Sequence, residues 1–262
     1  MNDTSDASDA TVATDLTETV LETRDLTRIY RQGNTRTAVL KEVSLRIARG
    51  AFLAVTGPSG SGKSTLLNLL AGLDVPSSGS VLIDGQDLAE LGERQRTLVR
   101  RAKIGFVFQF FNLVPTLTVA ENIGLPLTLE GVTAPRQDPR FDRIVERFGL
   151  SKLLDRRPHA LSGGEMQRTS IARAVVHEPP IVLADEPTGN LSSCAGLEVL
   201  ELLRQAVDAL ERTVLLVTHN PRDAAFADQV RFLRDGQLLD EVVEGADAVE
   251  ARIADRMAFL GL

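Results

Sequence analysis

The chain has 262 residues, of which 43% are hydrophobic and 25% are charged, so it is long enough for a packed globular core and is neither disordered nor fibrous in composition. Its net charge of −7 argues against a general nucleic-acid-binding protein. A single cysteine, Cys194, excludes an internal disulfide, and the three histidines form no cluster with zinc-ligand spacing.

The N-terminal segment is acidic, because residues 1–20 contain five acids and no base. It has too few large apolar residues to offset the entropy lost on ordering, so residues 1–19 are predicted to be a disordered tail. The first basic residue, Arg24, follows these acids, which is the reverse of the order in a secretory signal peptide. Because no apolar run is long enough for a membrane span, we expect a cytoplasmic protein.

Two kinds of strand are predicted after this tail. From Val20 to Ile47, apolar and polar residues alternate around residues 32–34, which predicts antiparallel strands joined by a turn. The continuous apolar runs that follow are typical of buried parallel strands. These runs are residues 51–56, 104–108, 181–184 and 213–218.

Helical patterns separate the apolar runs, so the sequence predicts a layered α/β domain with a parallel sheet and an N-terminal antiparallel β subdomain. A helical subdomain is predicted as an insertion at about residues 92–178. Apolar residues at helical spacing near the end of the chain predict a C-terminal helix within residues 243–262. This helix is expected to dock on the core, with partner binding as the alternative.

Residues 57–64, GPSGSGKS, match the phosphate-binding loop pattern and lie between an apolar strand and a leucine-rich helix. Glycines allow the backbone to point N–H groups at an anion, and the helix N-terminus adds a positive dipole. Lys63 is predicted to reach the β and γ phosphates of a nucleotide, and the Ser64 hydroxyl to coordinate Mg²⁺. An ordinary glycine-rich loop is the alternative.

Polar residues also follow the other three apolar runs, namely Gln109, the pair Asp185 and Glu186, and His219. Ligands bind beyond the carboxyl ends of parallel strands, so these residues are predicted to converge on the phosphate loop. Asp185 is expected to hold Mg²⁺ through water, and Glu186 to polarise the attacking water. The alternatives are turn chemistry for the acidic pair, a loop cap for Gln109 and a structural role for His219.

The segment LSGGEMQR, residues 161–168, begins with the spacing of a helix capping box between Ser162 and Glu165. The glycines after Ser162 leave the backbone bare, so an anion could approach the N–H groups closely. The segment therefore predicts a second phosphate-binding site, with a simple helix cap as the alternative. The remaining histidines, His159 and His177, are predicted to lie on the surface.

These motifs, in this order, resemble the ATP-binding cassette (ABC) ATPases from about residue 21 to 239, and LSGGEMQR is the signature that distinguishes the family. Residues 105–127 and the segment DEPTGNL look most like the branch that serves macrolide exporters, lipoprotein release and cell-division complexes. The resemblance implies a P-loop NTPase (RecA-like) core and an ABC ATPase domain at residues 20–242. It implies ATP and Mg²⁺ as cofactors, and no nucleic-acid partner.

The resemblance also implies roles for single residues. Tyr30 would stack on adenine, although an aromatic residue in the core is the alternative. Gln109 would sense Mg²⁺ and the attacking water, and His219 would contact the γ phosphate. The predicted catalytic residues are Lys63, Gln109, Glu186 and His219, and the predicted magnesium ligands are Ser64, Gln109 and Asp185. The residues predicted to contact the nucleotide are Tyr30, Gly57, Pro58, Ser59, Gly60, Ser61, Gly62, Lys63, Ser64, Thr65, Ser162, Gly163, Gly164 and Glu165.

By the same resemblance, two copies of the chain would enclose two ATP molecules head to tail, with the signature of one copy over the phosphate loop of the other. The subunit would power a separate integral-membrane permease from the inner face of the plasma membrane, and would serve export or membrane extraction of a lipophilic or peptide substrate. The alternative is a regulatory, force-transmitting module that moves no substrate. One departure from the family pattern is Ser192, where relatives carry Asp, and it puts communication between the two sites in doubt.

Overall fold

The computed structural model describes residues 19–33, 35–244 and 249–260. Nearly all of the predicted acidic tail, one residue of the predicted turn at 32–34, and parts of the predicted C-terminal segment therefore lie outside the described residues.

The described residues form alternating strands and helices. The strands are β1 (Thr19–Gln32), β2 (Thr35–Ala48), β3 (Phe52–Thr56), β4 (Ser78–Ile83), β5 (Gln86–Asp87), β6 (Ile104–Val107), β7 (Ile181–Asp185), β8 (Thr213–Thr218), β9 (Gln229–Arg234) and β10 (Gln237–Glu244). The helices are α1 (Lys63–Leu70), α2 (Glu93–Lys103), α3 (Val119–Leu129), α4 (Pro139–Arg147), α5 (Gly163–Val175), α6 (Ser193–Asp208), α7 (Pro221–Ala224) and α8 (Val249–Phe259).

An antiparallel sheet is built from the first part of the chain, in the order β2-β1-β4-β5. Its main ladder joins β1 to β2, from the pair Thr19 and Ala48 to the pair Gln32 and Thr35. This confirms the predicted antiparallel subdomain. Strands β4 and β5 were not predicted. β5, at the sheet edge, has only two residues, which is too few for a clear alternation, and β4 lies between it and β1.

The second sheet has the order β10-β9-β3-β8-β7-β6. Each of the four apolar runs supplies one of the neighbouring strands β3, β8, β7 and β6, and these pair in parallel. The predicted buried parallel strands are therefore confirmed. Since parallel strands end at the same edge of a sheet, the loops after β3, β6, β7 and β8 lie on one side of the domain.

Alternate residues of the parallel strands face opposite sides of the sheet, and each side has its own apolar cluster. In β3, Phe52 and Ala54 contribute to one cluster, whereas Leu53 and Val55 contribute to the other. Helix α1 covers the second face with buried leucines. Burial of each such side chain stabilises the fold by about 1.5–3 kcal/mol, so both faces hold the sheet rigid beneath the loops.

The region predicted as a helical insertion is not helical throughout. Residues 104–107 form β6, the edge strand of the parallel sheet, and helices α3 and α4 follow it. Helix α3 begins at a capping box in which the Thr118 side chain accepts a hydrogen bond from the Glu121 N–H. The boundaries of the predicted subdomain stay a prediction.

Helix α8 lies against the core, as its apolar spacing predicted. Ile253, Met257 and Leu260 are buried in the same apolar cluster as Phe52. The Thr56 hydroxyl, at the end of β3, lies 3.6 Å from the Met257 sulfur. Among the residues that the structure describes, no helix has both the length and the apolar character that a membrane crossing requires.

The prediction that both remaining histidines lie on the surface is wrong for His177. His159 is exposed, whereas only 7% of His177 is accessible to solvent. His177 lies just after α5, and its pKa is lowered because burial disfavours the charged imidazolium. The polar residue type suggested a surface position, but the folded chain buries the side chain.

Candidate functional site

The phosphate loop connects β3 to α1, and it has the backbone shape that only glycines allow. Gly60 and Gly62 have φ angles of 83° and 107°, in the left-handed region. A Cβ atom on Gly62 would lie 2.8 Å from the Val39 carbonyl oxygen, and one on Gly57 would lie 2.1 Å from the Leu233 carbonyl oxygen. Larger residues would therefore push the loop away from the strands that hold it.

Lys63, the first residue of α1, reaches back across the loop. Its Nζ donates hydrogen bonds to the carbonyl oxygens of Gly57, at 2.8 Å, and Pro58, at 2.9 Å. Burial lowers the pKa of the amine, and the nearby carboxylates of Glu186 and Asp185 oppose that effect. The lysine thus places a positive charge inside the loop, where phosphate oxygens can replace the carbonyl partners.

The loop borders a cavity of about 290 Å³. The cavity is lined by Val39, Ser59, Gly60, Gly62, Lys63, Ser64, Thr65 and Glu186. Beside it, the buried hydroxyl of Ser61 has no hydrogen-bond partner within the protein. A buried polar group without a partner is costly, so the loop is suited to a ligand that accepts hydrogen bonds.

Asp185, at the end of β7, lies beside the start of α1. Its carboxylate accepts a hydrogen bond from the Ser64 hydroxyl. Burial, followed by the adjacent charge of Glu186, raises the pKa of Asp185, whereas Ser64 and Lys63 act in the opposite direction. A cation at this position would relieve the crowding of negative charge. The hydroxyl and carboxylate oxygens are the donors that Mg²⁺ prefers, so these residues fit the predicted ion.

Glu186 and His219 are in contact. The His219 Nδ1 lies 2.9 Å from the Glu186 Oε1, and Glu186 also lines the cavity beside the phosphate loop. Glu186 has a φ of 43°, an unusual conformation for a residue with a side chain, and it turns the chain sharply after β7. The imidazole therefore fixes the direction of a carboxylate that faces the cavity.

Gln109, after β6, lies against the loop that carries Glu186. The Asn190 side-chain amide donates to the Gln109 carbonyl oxygen at 2.9 Å. A Cβ atom on Gly189 would lie 2.9 Å from the Gln109 Nε2, so the two loops approach closely. The structure thus places the residues after β3, β6, β7 and β8 together, as the sheet topology predicts.

The segment LSGGEMQR opens helix α5 with the predicted capping box. Ser162 accepts a hydrogen bond from the Glu165 N–H, and the Glu165 carboxylate accepts one from the Ser162 N–H at 2.7 Å, which lowers the pKa of Glu165. Gly163 packs against Leu191 instead of the phosphate loop. Within one chain, Ser162, Gly163, Gly164 and Glu165 contribute nothing to the lining of the phosphate-loop cavity.

Sequence reasoning missed Gln167, which joins α5 to the site. Its side chain is fully buried, and its Nε2 donates a hydrogen bond to the Pro187 carbonyl oxygen at 2.8 Å. Pro187 is the residue directly after Glu186. An amide in a helix interior carries no sequence signal for such a contact. Its identity as a buried polar residue becomes visible only when α5 is packed on the sheet.

Tyr30 lies on β1 and is 40% exposed, which argues against the alternative of a core aromatic residue. Its hydroxyl donates to the Asp74 carboxylate at 2.8 Å, and the Arg28 guanidinium lies 4.5 Å from the ring centroid. Arg28 also forms an ion pair with Asp74 at 2.8 Å. Sequence reasoning missed both partners, which hold the ring in place and cover one of its faces.

Ser192, the departure from the family pattern, is the N-cap of α6. Its hydroxyl accepts a hydrogen bond from the Ala195 N–H at 3.4 Å. Serine and aspartate are both good N-cap residues, so the local structure is kept with either. What the replacement removes is a negative charge at the start of the helix.

Comparisons with known proteins agree with this architecture. The family model described as "ABC transporter" matches residues 40–189. The chain is 42% identical over 244 residues to the ABC transporter ATP-binding protein YxdL of Bacillus subtilis (strain 168), which covers 92% of this chain and 95% of that protein. It is 37% identical over 243 residues to the bacitracin export ATP-binding protein BceA of Halalkalibacterium halodurans, covering 93% and 96%. A solved dimeric, post-hydrolysis state of the ATP-binding cassette MJ0796 bound to ADP and Pi is similar at a TM-score of 0.78 and 38% identity, covering 86% of this chain and 98% of that one.

Proposed function

The chain belongs to the ABC transporter family, and on this premise we propose how its residues bind and hydrolyse ATP and what it helps to move. It is the ATP-binding, ATP-hydrolysing subunit of a transporter, it pairs with a second copy of itself, and it works with a separate membrane permease. Its fold is that of the cassette ATPases, as the sequence predicted.

The phosphate loop binds the β and γ phosphates of ATP. Lys63 and the free hydroxyl of Ser61 support this role, because both are buried beside a cavity with room for phosphate oxygens. Backbone N–H groups within residues 59–65 and the positive end of α1 add to the attraction. Tyr30 stacks on the adenine with the ring face that Arg28 leaves open, since the other face is already covered.

Ser64, Gln109 and, through water, Asp185 would hold Mg²⁺. The hydrogen bond between Ser64 and Asp185 supports this assignment, because it places two oxygen donors beside the phosphate loop. When bound, Mg²⁺ would neutralise charge that builds up on the transferred phosphate. Gln109 contributes from the opposite loop, through a side chain that lies close to Gly189.

Glu186 acts on the attacking water, and the single observation that carries this proposal is its contact with His219 at the rim of the phosphate-loop cavity. The carboxylate accepts a hydrogen bond from the water and so orients it toward the γ phosphate. His219 holds the carboxylate in that direction. The imidazolium form has a second N–H, on Nε2, and this group would donate to the γ phosphate as charge develops there.

Each complete site needs two copies of the chain. The signature residues Ser162, Gly163 and Gly164 lie at the start of α5 and outside the lining of the phosphate-loop cavity of their own chain. In the pair, the start of α5 from one copy covers the phosphates held by the other. The twofold arrangement then contains two ATP molecules, and hydrolysis lets the copies separate.

The transported molecule is a peptide or lipophilic compound, and it is exported or extracted from the membrane. This proposal rests on the likeness to a relative that is named for bacitracin export. The subunit lies on the inner face of the plasma membrane, where it is held by the permease. Substrate contacts belong to the permease, so this chain supplies the force and not the selectivity.

The test replaces Glu186 with Gln and measures phosphate release by the full-length protein in Mg·ATP. A general base contributes about 100-fold or more to the rate, so turnover should fall at least that far. The variant should also accumulate as an ATP-bound dimer by light scattering. The control is Glu201→Gln, an exposed carboxylate on α6, which should hydrolyse ATP like the wild type. Undiminished turnover in the Glu186 variant would contradict the role assigned to this carboxylate.

A further inference from the structure

One buried acid close to the site has no role in the proposed chemistry. Asp223 lies in the short helix α7, four residues after His219, and only 4% of it is accessible to solvent. Burial raises the pKa of this carboxyl group above its ordinary value, whereas Thr188, His219, Arg222 and Thr218 oppose that effect. A carboxylate in such a position is expensive unless its oxygens are satisfied.

The partners of Asp223 come from both sides of the site. The Thr188 hydroxyl donates a hydrogen bond to the Asp223 Oδ2. The Thr218 hydroxyl is a second hydrogen-bond partner of the carboxylate, and His219 and Arg222 are near enough to act on its charge. Thr188 lies two residues after Glu186, and Thr218 directly precedes His219. One buried carboxylate therefore joins the two loops that carry the contacting pair Glu186 and His219.

The loop after Glu186 is held on its other flank by a different element. Gln167 of α5 donates to the Pro187 carbonyl oxygen at 2.8 Å. Without Asp223, this loop would still be attached to α5, and the Glu186 N–H would still donate to the Val217 carbonyl oxygen of β8 at 2.9 Å. What would be lost is the side-chain connection between Thr188, beyond Glu186, and the helix that follows His219. A polar cavity of about 110 Å³ lies between Thr188, Ser192 and Asp223, so there is room for the loop to shift.

We propose that Asp223 is a positioning residue, which acts through Thr188 and Thr218 to keep the Glu186 carboxylate and the His219 imidazole at their working separation. The proposal rests on the function proposed for Glu186 and His219. Asp223 is not among the residues that line the phosphate-loop cavity. Its effect should therefore appear in the rate of hydrolysis and leave ATP affinity unchanged, since an error of about 1 Å in a catalytic group can cost about 100-fold in rate.

The experiment measures kcat and KM for ATP hydrolysis, together with Tm, in variants of the full-length protein. Asp223→Asn leaves one acceptor oxygen for the two threonine hydroxyls and removes the charge, and Thr188→Val removes the donor. Each variant should lower kcat about tenfold or more with little change in KM. Thr188→Ser keeps the hydroxyl and should restore kcat. The matched control is Asp228→Asn, because Asp228 is a structural carboxylate that accepts from the Phe52 N–H at 2.8 Å and from Arg204.

The outcomes separate positioning from simple stability. Asp228→Asn should lower Tm without a selective loss of kcat. If Asp228→Asn lowers kcat as much as Asp223→Asn at an equal loss of Tm, the proposal is wrong. It is also wrong if Thr188→Val keeps full kcat, and this variant decides the matter should the Asp223 variants fail to fold. Wild type and Glu186→Gln are assayed alongside. Equal turnover in those two proteins would contradict the role proposed for Glu186, independently of the results for Asp223.

Discussion

Replacement of Ser162 by alanine separates two roles that the signature serine combines. In a single chain it caps α5, and in the pair it is proposed to contact the phosphate held by the other copy. The chain offers a matched control, because α3 begins with a capping box of nearly the same geometry. The Glu165 N–H lies 3.3 Å from the Ser162 Oγ, and the Glu121 N–H lies 3.2 Å from the Thr118 Oγ1.

Loss of either cap should cost the same in stability. Removal of an N-cap hydroxyl costs about 1 kcal/mol, which lowers Tm by about 2–4 °C in a protein of this size. We therefore expect Ser162→Ala and Thr118→Ala to have similar melting temperatures in the absence of nucleotide. Glycine is nearly as good a cap as serine, so the free energy of unfolding of Ser162→Gly should lie within a few tenths of a kcal/mol of that of the wild type.

The effect on activity should differ between the two helices. A hydrogen bond to a charged phosphate is worth about 1.5–3 kcal/mol, which corresponds to roughly 10- to 100-fold in the assembly of the ATP-bound pair. Ser162→Ala and Ser162→Gly should both show a fall of that size in the rate of ATP hydrolysis, measured at limiting protein concentration. Thr118→Ala should keep its activity at temperatures well below its Tm.

Phosphate release and thermal melting of the four proteins check these expectations together. Equal activity losses in Ser162→Ala and Thr118→Ala would mean that the signature serine acts only as a helix cap. Full activity in Ser162→Gly would also refute a phosphate contact by the hydroxyl. The result matters beyond one residue, because the enclosure of ATP between two copies depends on this end of α5.

Three further predictions concern residues outside the phosphate loop. Tyr30→Ala should weaken ATP binding by about 1–3 kcal/mol, which is the usual value of base stacking on an aromatic ring. Inorganic triphosphate has no base, so its binding should not change. Equal losses of affinity for both ligands would exclude stacking. Asp74→Asn should give a smaller loss, since it loosens the ring through its hydroxyl. The lowered pKa of His177 means that the unfolded chain binds more protons below about pH 6.5, so the wild type loses stability as the pH falls, by at most about 1.4 kcal/mol per pH unit. Urea unfolding midpoints at pH 7.5 and 5.5 should show that His177→Asn loses less stability on acidification than the wild type. An identical loss in the two proteins would contradict the burial effect.

The buried strands could be predicted from the sequence because their signal is local. Each apolar run, such as residues 213–218, is long enough to span the sheet and shows no polar alternation. The polar residue at the end of each run then follows from chain direction, since parallel strands all end at one edge. The glycine pattern of residues 57–64 predicts the conformation of the phosphate loop, because Gly60 and Gly62 adopt left-handed φ angles that other residues disfavour.

The partners of those residues could not be predicted, because they depend on distances between segments far apart in the chain. Asp223 is separated from Thr188 by 35 residues, and Tyr30 from Asp74 by 44. No local period relates such positions, and an acid after a strand is also ordinary turn chemistry. The burial of His177 also could not be predicted, because it depends on three-dimensional packing and not on the polar residue type.

The sequence by itself thus determined the four buried parallel strands, the shape of the phosphate loop and the side chains at the ends of those strands, because apolar run length and glycine conformation act within a few neighbouring residues. Only the tertiary structure decided that Glu186 meets His219, that Lys63 folds back over Gly57, and that the start of α5 lies apart from the phosphate loop of its own chain. Contacts of this kind arise when separate elements pack on one sheet, and the free energy that selects them is shared among many distant residues.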